Sequence, residues 1–152
     1  MVIGNKYTKI LCIVVLFCCM AFIFYMSSQT KSESSQSSSF FVELVMRFFD
    51  MEKTDFLVKI VRKCAHMFEY AVLGGTFFSL FCHYALGNRT RFIWSLGLSS
   101  FYAATDEIHQ LFVKGRACRF SDVCIDSAGS LIGILLAILL IKFFCKLIGE
   151  KR

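Results

Sequence analysis

The sequence predicts an all-α membrane protein with about four transmembrane helices and a short interfacial amphipathic helix. Three observations predict it. The 152 residues are 57% hydrophobic, above the roughly 45–50% usual for soluble domains. The apolar residues, 18 Phe among them and no Pro, run in long blocks. Basic residues flank those blocks instead of forming a patch of their own, so the net charge of +6 reads as membrane topology and not as nucleic-acid binding.

Four blocks approach the about 20 apolar residues that a span needs: residues 10–26, 64–86, 92–111 and 123–141. The first follows a cytoplasmic segment, 1–9. Its 17 residues exceed the usual signal-peptide core of about 7–15, and no small-residue cleavage site follows. A retained anchor is therefore expected over a cleaved signal. Residues 27–61 form an outer segment. Its serine-rich part, 27–39, reads as a flexible loop. Beyond it, Phe40, Phe41, Leu44, Val45, Phe48 and Phe49 make an apolar stripe at helical spacing, followed by a further turn or two through Phe56, Leu57, Ile60 and Val61. That stripe suits a helix lying in the membrane interface, or one packed on the bundle. A core of three spans occupies 62–141, and 142–152 is a basic tail.

Lys6 and Lys9, Arg89 and Arg91, and Lys142, Lys146, Lys151 and Arg152 place both termini inside. Lys59, Arg62, Lys63, Lys114, Arg116 and Arg119 then fall outside, against the rule. Trp94 suits an interface anchor. Six of eight cysteines lie in or beside apolar blocks and none forms a CxxC pair, so zinc and redox motifs are absent. Small-residue stripes, Gly129-x-x-x-Gly133 above all, suit close helix packing in lipid, within this chain in preference to a homodimer.

The chemistry concentrates in five acids in or beside apolar sequence: Glu69, Asp106, Glu107, Asp122 and Asp126. A charge at bilayer depth costs about 2.5–3.5 kcal/mol on insertion scales, so such residues tend to face protein or water. Arg62, His66 and Glu69 share one face of the second span, with Lys63 and Tyr70 beside them. Asp106, Glu107 and Gln110 share a face of the third, and Asp122, Asp126, Gly129 and Gly133 a face of the fourth. Alternating chain direction brings the start of span two, the end of span three and the start of span four to one side, the outer one. The expected ligand-binding set is Arg62, Lys63, His66, Glu69, Tyr70, Asp106, Glu107, Gln110, Arg116, Asp122 and Asp126. A self-neutralising network that only holds the helices in register fits the same residues. His66 with Glu69 or Asp106 could serve as a general acid/base pair, although no nucleophile stands with it. A metal site is not expected, because His109 sits on another face and the cations nearby oppose one. No cofactor is expected.

Several runs together resemble the VanZ-like family of small bacterial membrane proteins, named for a member linked to teicoplanin resistance. They are FYMSSQ from Phe24 to Gln29, RKCAHMFEY from Arg62 to Tyr70, DEIHQ from Asp106 to Gln110, Gly115-Arg116, and DVCIDSAG from Asp122 to Gly129 with Gly133. Their order and spacing are specific and cover about Phe24 to Gly133. Lys114 stands where the family often has proline, which leaves the turn before Arg116 freer. The resemblance implies a multi-pass cell-membrane protein whose signature residues are this polar set, with a link to lipoglycopeptide susceptibility. Expected partners are membrane lipids and a lipid-linked wall precursor or lipoglycopeptide. No reaction is implied. The favoured expectation is a non-enzymatic binding protein, the alternatives being an enzyme acting on a lipid head group and a structural bundle of open oligomeric state.

Overall fold

The computed structural model describes residues 5–49, 52 and 54–149. These form six helices and, among the described residues, no strand: α1 (Lys6–Ser28), α2 (Lys31–Ser37), α3 (Ser39–Phe49), α4 (Asp55–Phe81), α5 (Asn88–Gln110) and α6 (Phe120–Gly149). The start of the N-terminal segment and the tail residues Lys151 and Arg152 lie outside the described residues.

Two helices, Lys6–Ser28 and Phe120–Leu147, are long and apolar enough to cross a membrane. That is fewer than the four blocks suggest. The other two long helices have the length, at 27 and 23 residues, but charges interrupt them. Within α4 these are Asp55, Lys59, Arg62, Lys63 and Glu69; within α5 they are Arg89, Arg91, Asp106 and Glu107. The charge-free part of α5, residues 92–105, falls short of the about 20 residues a span requires.

Local signals explain where helices begin. Asn5 caps α1 by accepting from the Tyr7 amide at 2.9 Å. Thr54 caps α4 through the Leu57 amide at 3.2 Å, so α4 starts at Asp55 and absorbs the 55–61 segment expected to belong to the interfacial helix. The serine-rich stretch is also not a loop. Thr30 and Glu33 form a capping box, satisfying amides that the first turn would otherwise leave unbonded, and α2 follows. The Glu33 carboxylate accepts both the Thr30 amide and its hydroxyl at 2.8 Å. The Thr30 backbone, then its hydroxyl, hold the Glu33 pKa below the ordinary carboxylate value. A lowered folded-state pKa stabilises above the unfolded value and loses that contribution as pH falls through the folded one. Thr30→Ala is expected to cost α2 about 1 kcal/mol. Lower protection factors across residues 31–37, reproduced in the native protein by acidification once the intrinsic exchange rate at each pH is divided out, check it.

The bundle is organised on α4, which packs against each of the other five helices, most extensively α6. A Cβ on Gly133 would run into the Ala71 carbonyl, one on Gly129 into the Met67 carbonyl, and one on Gly74 into the Ser130 carbonyl. The small-residue stripe thus lets two backbones approach directly. Ser130 Oγ donates to the Tyr70 carbonyl at 3.2 Å across the same contact. One core cluster joins Leu16 and Ile23 of α1 with Tyr70, Leu73 and Phe77 of α4 and Ala103 of α5. Tyr102 of α5 donates its hydroxyl to the Met20 carbonyl of α1 at 2.7 Å. At the opposite end from the acids, Arg91 is buried within α5 instead of lying in a solvated loop. Its guanidinium reaches the Tyr84 carbonyl at 3.1 Å and Asn88 Oδ1 at 3.4 Å. On α3, Val42 is the buried residue, while Phe40, Phe41 and Leu44 of the predicted stripe point outward. The stripe therefore does not seat α3 on the bundle.

Candidate functional site

The end of α1, the first half of α4, the end of α5 and the start of α6 meet at one end of the bundle. Asp106, 4% exposed, anchors the meeting point. Its Oδ2 accepts from Ser27 Oγ at 2.7 Å and from Gln110 Nε2 at 3.2 Å, and Gln110 Nε2 also lies 3.3 Å from Ser27 Oγ. Asp106 and Gln110 cooperate because four residues apart is one helical turn. Oδ1 of Asp106 is buried without a hydrogen-bond partner. One turn position on, Glu107 Oε2 accepts the Arg119 amide at 2.8 Å, fixing the chain just before α6 begins. Lys63 of α4 pairs with Asp122 of α6. Both are partly exposed, so this pair contributes about 0–1 kcal/mol and serves register more than stability.

Arg116 reaches its place through the loop between α5 and α6. Gly115 has φ 80, a left-handed conformation open to glycine at little cost, and the Arg116 amide closes the turn on the Val113 carbonyl at 3.1 Å. The turn is closed although Lys114 replaces the proline expected there. From it, Arg116 Nε donates to the Gln29 carbonyl at 2.9 Å and Nη2 to the Met26 carbonyl at 3.0 Å. These carbonyls lie at the C-terminal end of α1, where helix acceptors lack intrahelical donors and the dipole favours a cation. Burial, and then the neighbouring Arg62, push the Arg116 pKa down from its ordinary value, partly offset by Asp106, Glu107 and Glu69.

Around these residues lies a polar recess. An inner part of about 30 Å³ is lined by Arg62, Lys63 and His66 of α4, Glu107 and Gln110 of α5, Arg116, and Asp122, Ile125 and Asp126 of α6. An outer part of about 170 Å³ shares Arg62, Lys63, Gln110, Arg116 and Asp122 and adds Lys59 and Arg119. The inner part has the room and polar lining to hold water. Arg62 has no carboxylate partner among the described residues, and it shares the recess with Arg116. The recess thus sets Arg62, Lys63 and Arg116 against Glu107, Asp122 and Asp126, and the two arginines are the groups in it suited to a phosphate or carboxylate.

Three members of the predicted set do not line the recess. Asp106 lies behind Gln110 and Ser27. Tyr70 is fully buried with its hydroxyl unpartnered, its ring 6.4 Å from that of Tyr102. Glu69 stands beside His66, with Oε2 3.3 Å from Nδ1, but the two are not aligned as a hydrogen bond. His109 turns away from the recess, stacking on Phe24 at 4.5 Å with Nε2 3.2 Å from Ser28 Oγ. Among the described residues no group of three or more His, Cys, Asp or Glu is placed to hold a metal.

The reading from sequence missed Ser27, the Met26 and Gln29 carbonyls, and the Arg119 amide. Ser27 had a usable signal. It ends the first span, which alternation sends to the same side as the acids. Ser27→Ala would leave Asp106 with one donor for two buried oxygens, an expected loss of about 1–3 kcal/mol, read as a lower thermal midpoint of the purified protein.

A family model described as VanZ/LLP1 matches residues 12–142. No curated protein and no solved structure matches the chain.

Proposed function

We propose, from the premise that this chain belongs to the VanZ/LLP1 family, that it is a multi-pass membrane protein binding an anionic head group at its polar end. The two apolar helices fit a membrane protein. In this reading α4 and α5 also cross, and their charged ends lie at the outer interface, where ionisable groups can reach water and lipid head groups. The α3 stripe of Phe40, Phe41 and Leu44, exposed in the bundle, then rests in the lipid interface beside it.

The observation that carries the reading is that Arg62 and Arg116 line one recess at the polar end of the bundle. A lipid-linked wall precursor or an acylated glycopeptide presents phosphate or carboxylate there, together with an acyl anchor. Occupying that group at the cell surface is how the protein would alter teicoplanin susceptibility without catalysing a reaction. The decisive comparison uses a strain in which the wild-type protein alters teicoplanin susceptibility. Arg62→Ala and Asp106→Ala should abolish that effect; unchanged susceptibility with both would refute the reading.

A second reading is favoured by one feature, the His66 ring lining the recess with Glu69 behind it. As an acid/base pair acting on a lipid head group, they would generate a changed lipid or precursor species on expression. His66→Ala should then remove that species at unchanged protein abundance. Identical lipid and precursor profiles with and without the protein would count against it.

A further inference from the structure

The recess sorts its charges by depth. Arg62, Lys63, Arg116 and Asp122 line both of its parts. The outer part adds two cations, Lys59 and Arg119. The inner part adds two acids, Glu107 and Asp126. Formal charges along the outer lining are therefore five positive against one negative, and along the inner lining three against three, with His66 counted neutral. Helix direction sets this order. On α6, Asp122 lies where the two parts meet and Asp126 is one turn deeper, about 6 Å at 1.5 Å per residue.

Two of the three inner acids are already engaged. Glu107 accepts the Arg119 amide, and Asp122 pairs with Lys63. Asp126 is different. It is 3% exposed, lines the inner part, and has no hydrogen bond or ion pair among the described residues. His66, which lines the same space, stands against Glu69. A buried carboxylate without a partner is costly, so a cation arriving with the ligand is the group that completes this corner. Size narrows the choice. The inner part, at about 30 Å³, has room for about one or two water-sized groups. A primary ammonium is of that size and carries three donors. A quaternary ammonium is bulkier and has no N–H, and no Trp, Tyr or Phe lines the recess to receive one. Resting on the head-group reading above, we propose that the bound head is a zwitterion, with its phosphate or carboxylate on Arg62 and Arg116 and a primary ammonium, one turn deeper, on Asp126. An anion alone leaves Asp126 unpaired, and an amine alone meets two uncompensated guanidiniums. One head carrying both charges about 6 Å apart or less satisfies both ends. The ligand class is thus a primary amine close to an anionic group, as in an aminoalkyl phosphate or an amino acid.

The test titrates the full chain, purified in maltoside micelles, by calorimetry with three phosphates that differ at the amine: 2-aminoethyl phosphate, ethyl phosphate and phosphocholine. 2-Aminoethyl phosphate should bind about 10-fold to 100-fold tighter than ethyl phosphate, the range of a hydrogen bond to a charged group. Phosphocholine should lose that advantage. Asp126→Asn keeps the shape and removes the charge. It should bring 2-aminoethyl phosphate to the level of ethyl phosphate and leave ethyl phosphate no weaker than in the wild type. Arg62→Ala should weaken both. β-Alanine and dihexanoyl phosphatidylethanolamine are the amino-acid and lipid forms of the same zwitterion. Tighter binding of either than of 2-aminoethyl phosphate supports the proposal and names the source. Equal affinity of the three phosphates for the wild type overturns it without any variant, so a folding failure of Asp126→Asn leaves the test intact. Equal losses of 2-aminoethyl phosphate and ethyl phosphate in Asp126→Asn overturn it too, making Asp126 a structural residue. Both outcomes leave the head-group reading standing. Absence of phosphate binding to the wild type, or binding untouched by Arg62→Ala, would instead sink the head-group reading itself.

Discussion

Gly133→Leu is expected to separate α4 from α6 and reduce the protein to a small fraction of its wild-type abundance. A Cβ at position 133 would overlap the carbonyl of Ala71, and its neighbour at 129 faces the Met67 carbonyl in the same way. The obstacle is backbone, which cannot rotate aside as a flexible side chain can. The helices must move apart along their most extensive contact, forfeiting the Ser130–Tyr70 hydrogen bond and the packing of buried Ile134 against Phe78 and Cys82. Overpacking commonly costs about 1–3 kcal/mol, and a backbone clash in a lipid-type small-residue interface belongs at or above the top of that range. Gly97 is the control. Nothing lies near a Cβ added there, so Gly97→Ala should leave abundance unchanged. Quantitative immunoblotting of membrane fractions, with thermal midpoints of purified protein, measures both. Equal abundance of Gly133→Leu and wild type would show that the α4–α6 contact is not what holds the bundle.

The second large effect separates the two arginines. Arg62→Ala should lower affinity for an anionic head group by about 10-fold to 100-fold, the range of a lost hydrogen bond to a charged group, with little change in abundance. Arg62 has no carboxylate partner among the described residues, so removing it strands no buried charge. Arg116→Ala should lower affinity and abundance together, because this guanidinium also ties the α5–α6 loop to the end of α1 through two carbonyls. Arg116→Lys is not a conservative rescue. An ammonium is a point charge and cannot direct two donors at fixed angles to Met26 and Gln29. Affinity of purified variants for butyl phosphate, set against their thermal midpoints, makes the comparison. Matching behaviour of the two alanine variants would mean that Arg116 does not bridge the loop to α1.

Much of this was legible in the chain. Helix class, the apolar blocks and the one-sided gathering of acids follow from hydropathy and direction reversal, which are local or nearly so. The family resemblance rested on residues that the fold brings to one end. Helix starts were less legible because they depend on single hydrogen bonds. The Thr30–Glu33 capping box turned a serine-rich stretch into α2, and Thr54 moved the start of α4 to Asp55. Both signals stood in the sequence but were outweighed by composition. The α3 stripe shows the converse. Its spacing announced a helix correctly, yet spacing cannot say which face meets the bundle, and Val42 is the residue that is buried.

By itself, then, the sequence determined that this chain makes long apolar helices whose polar residues collect at shared ends. Charge burial is costly wherever the helices go, and that constraint is written in residue order. Only the tertiary structure decided which of those groups face one another. Asp106 turns to Ser27 and Gln110, Arg116 to the end of α1, and Arg62 into open space. Those choices are set by helix rotation and by the close approach that Gly129 and Gly133 allow. Neither is encoded in any one segment, because each depends on the surface that another helix presents.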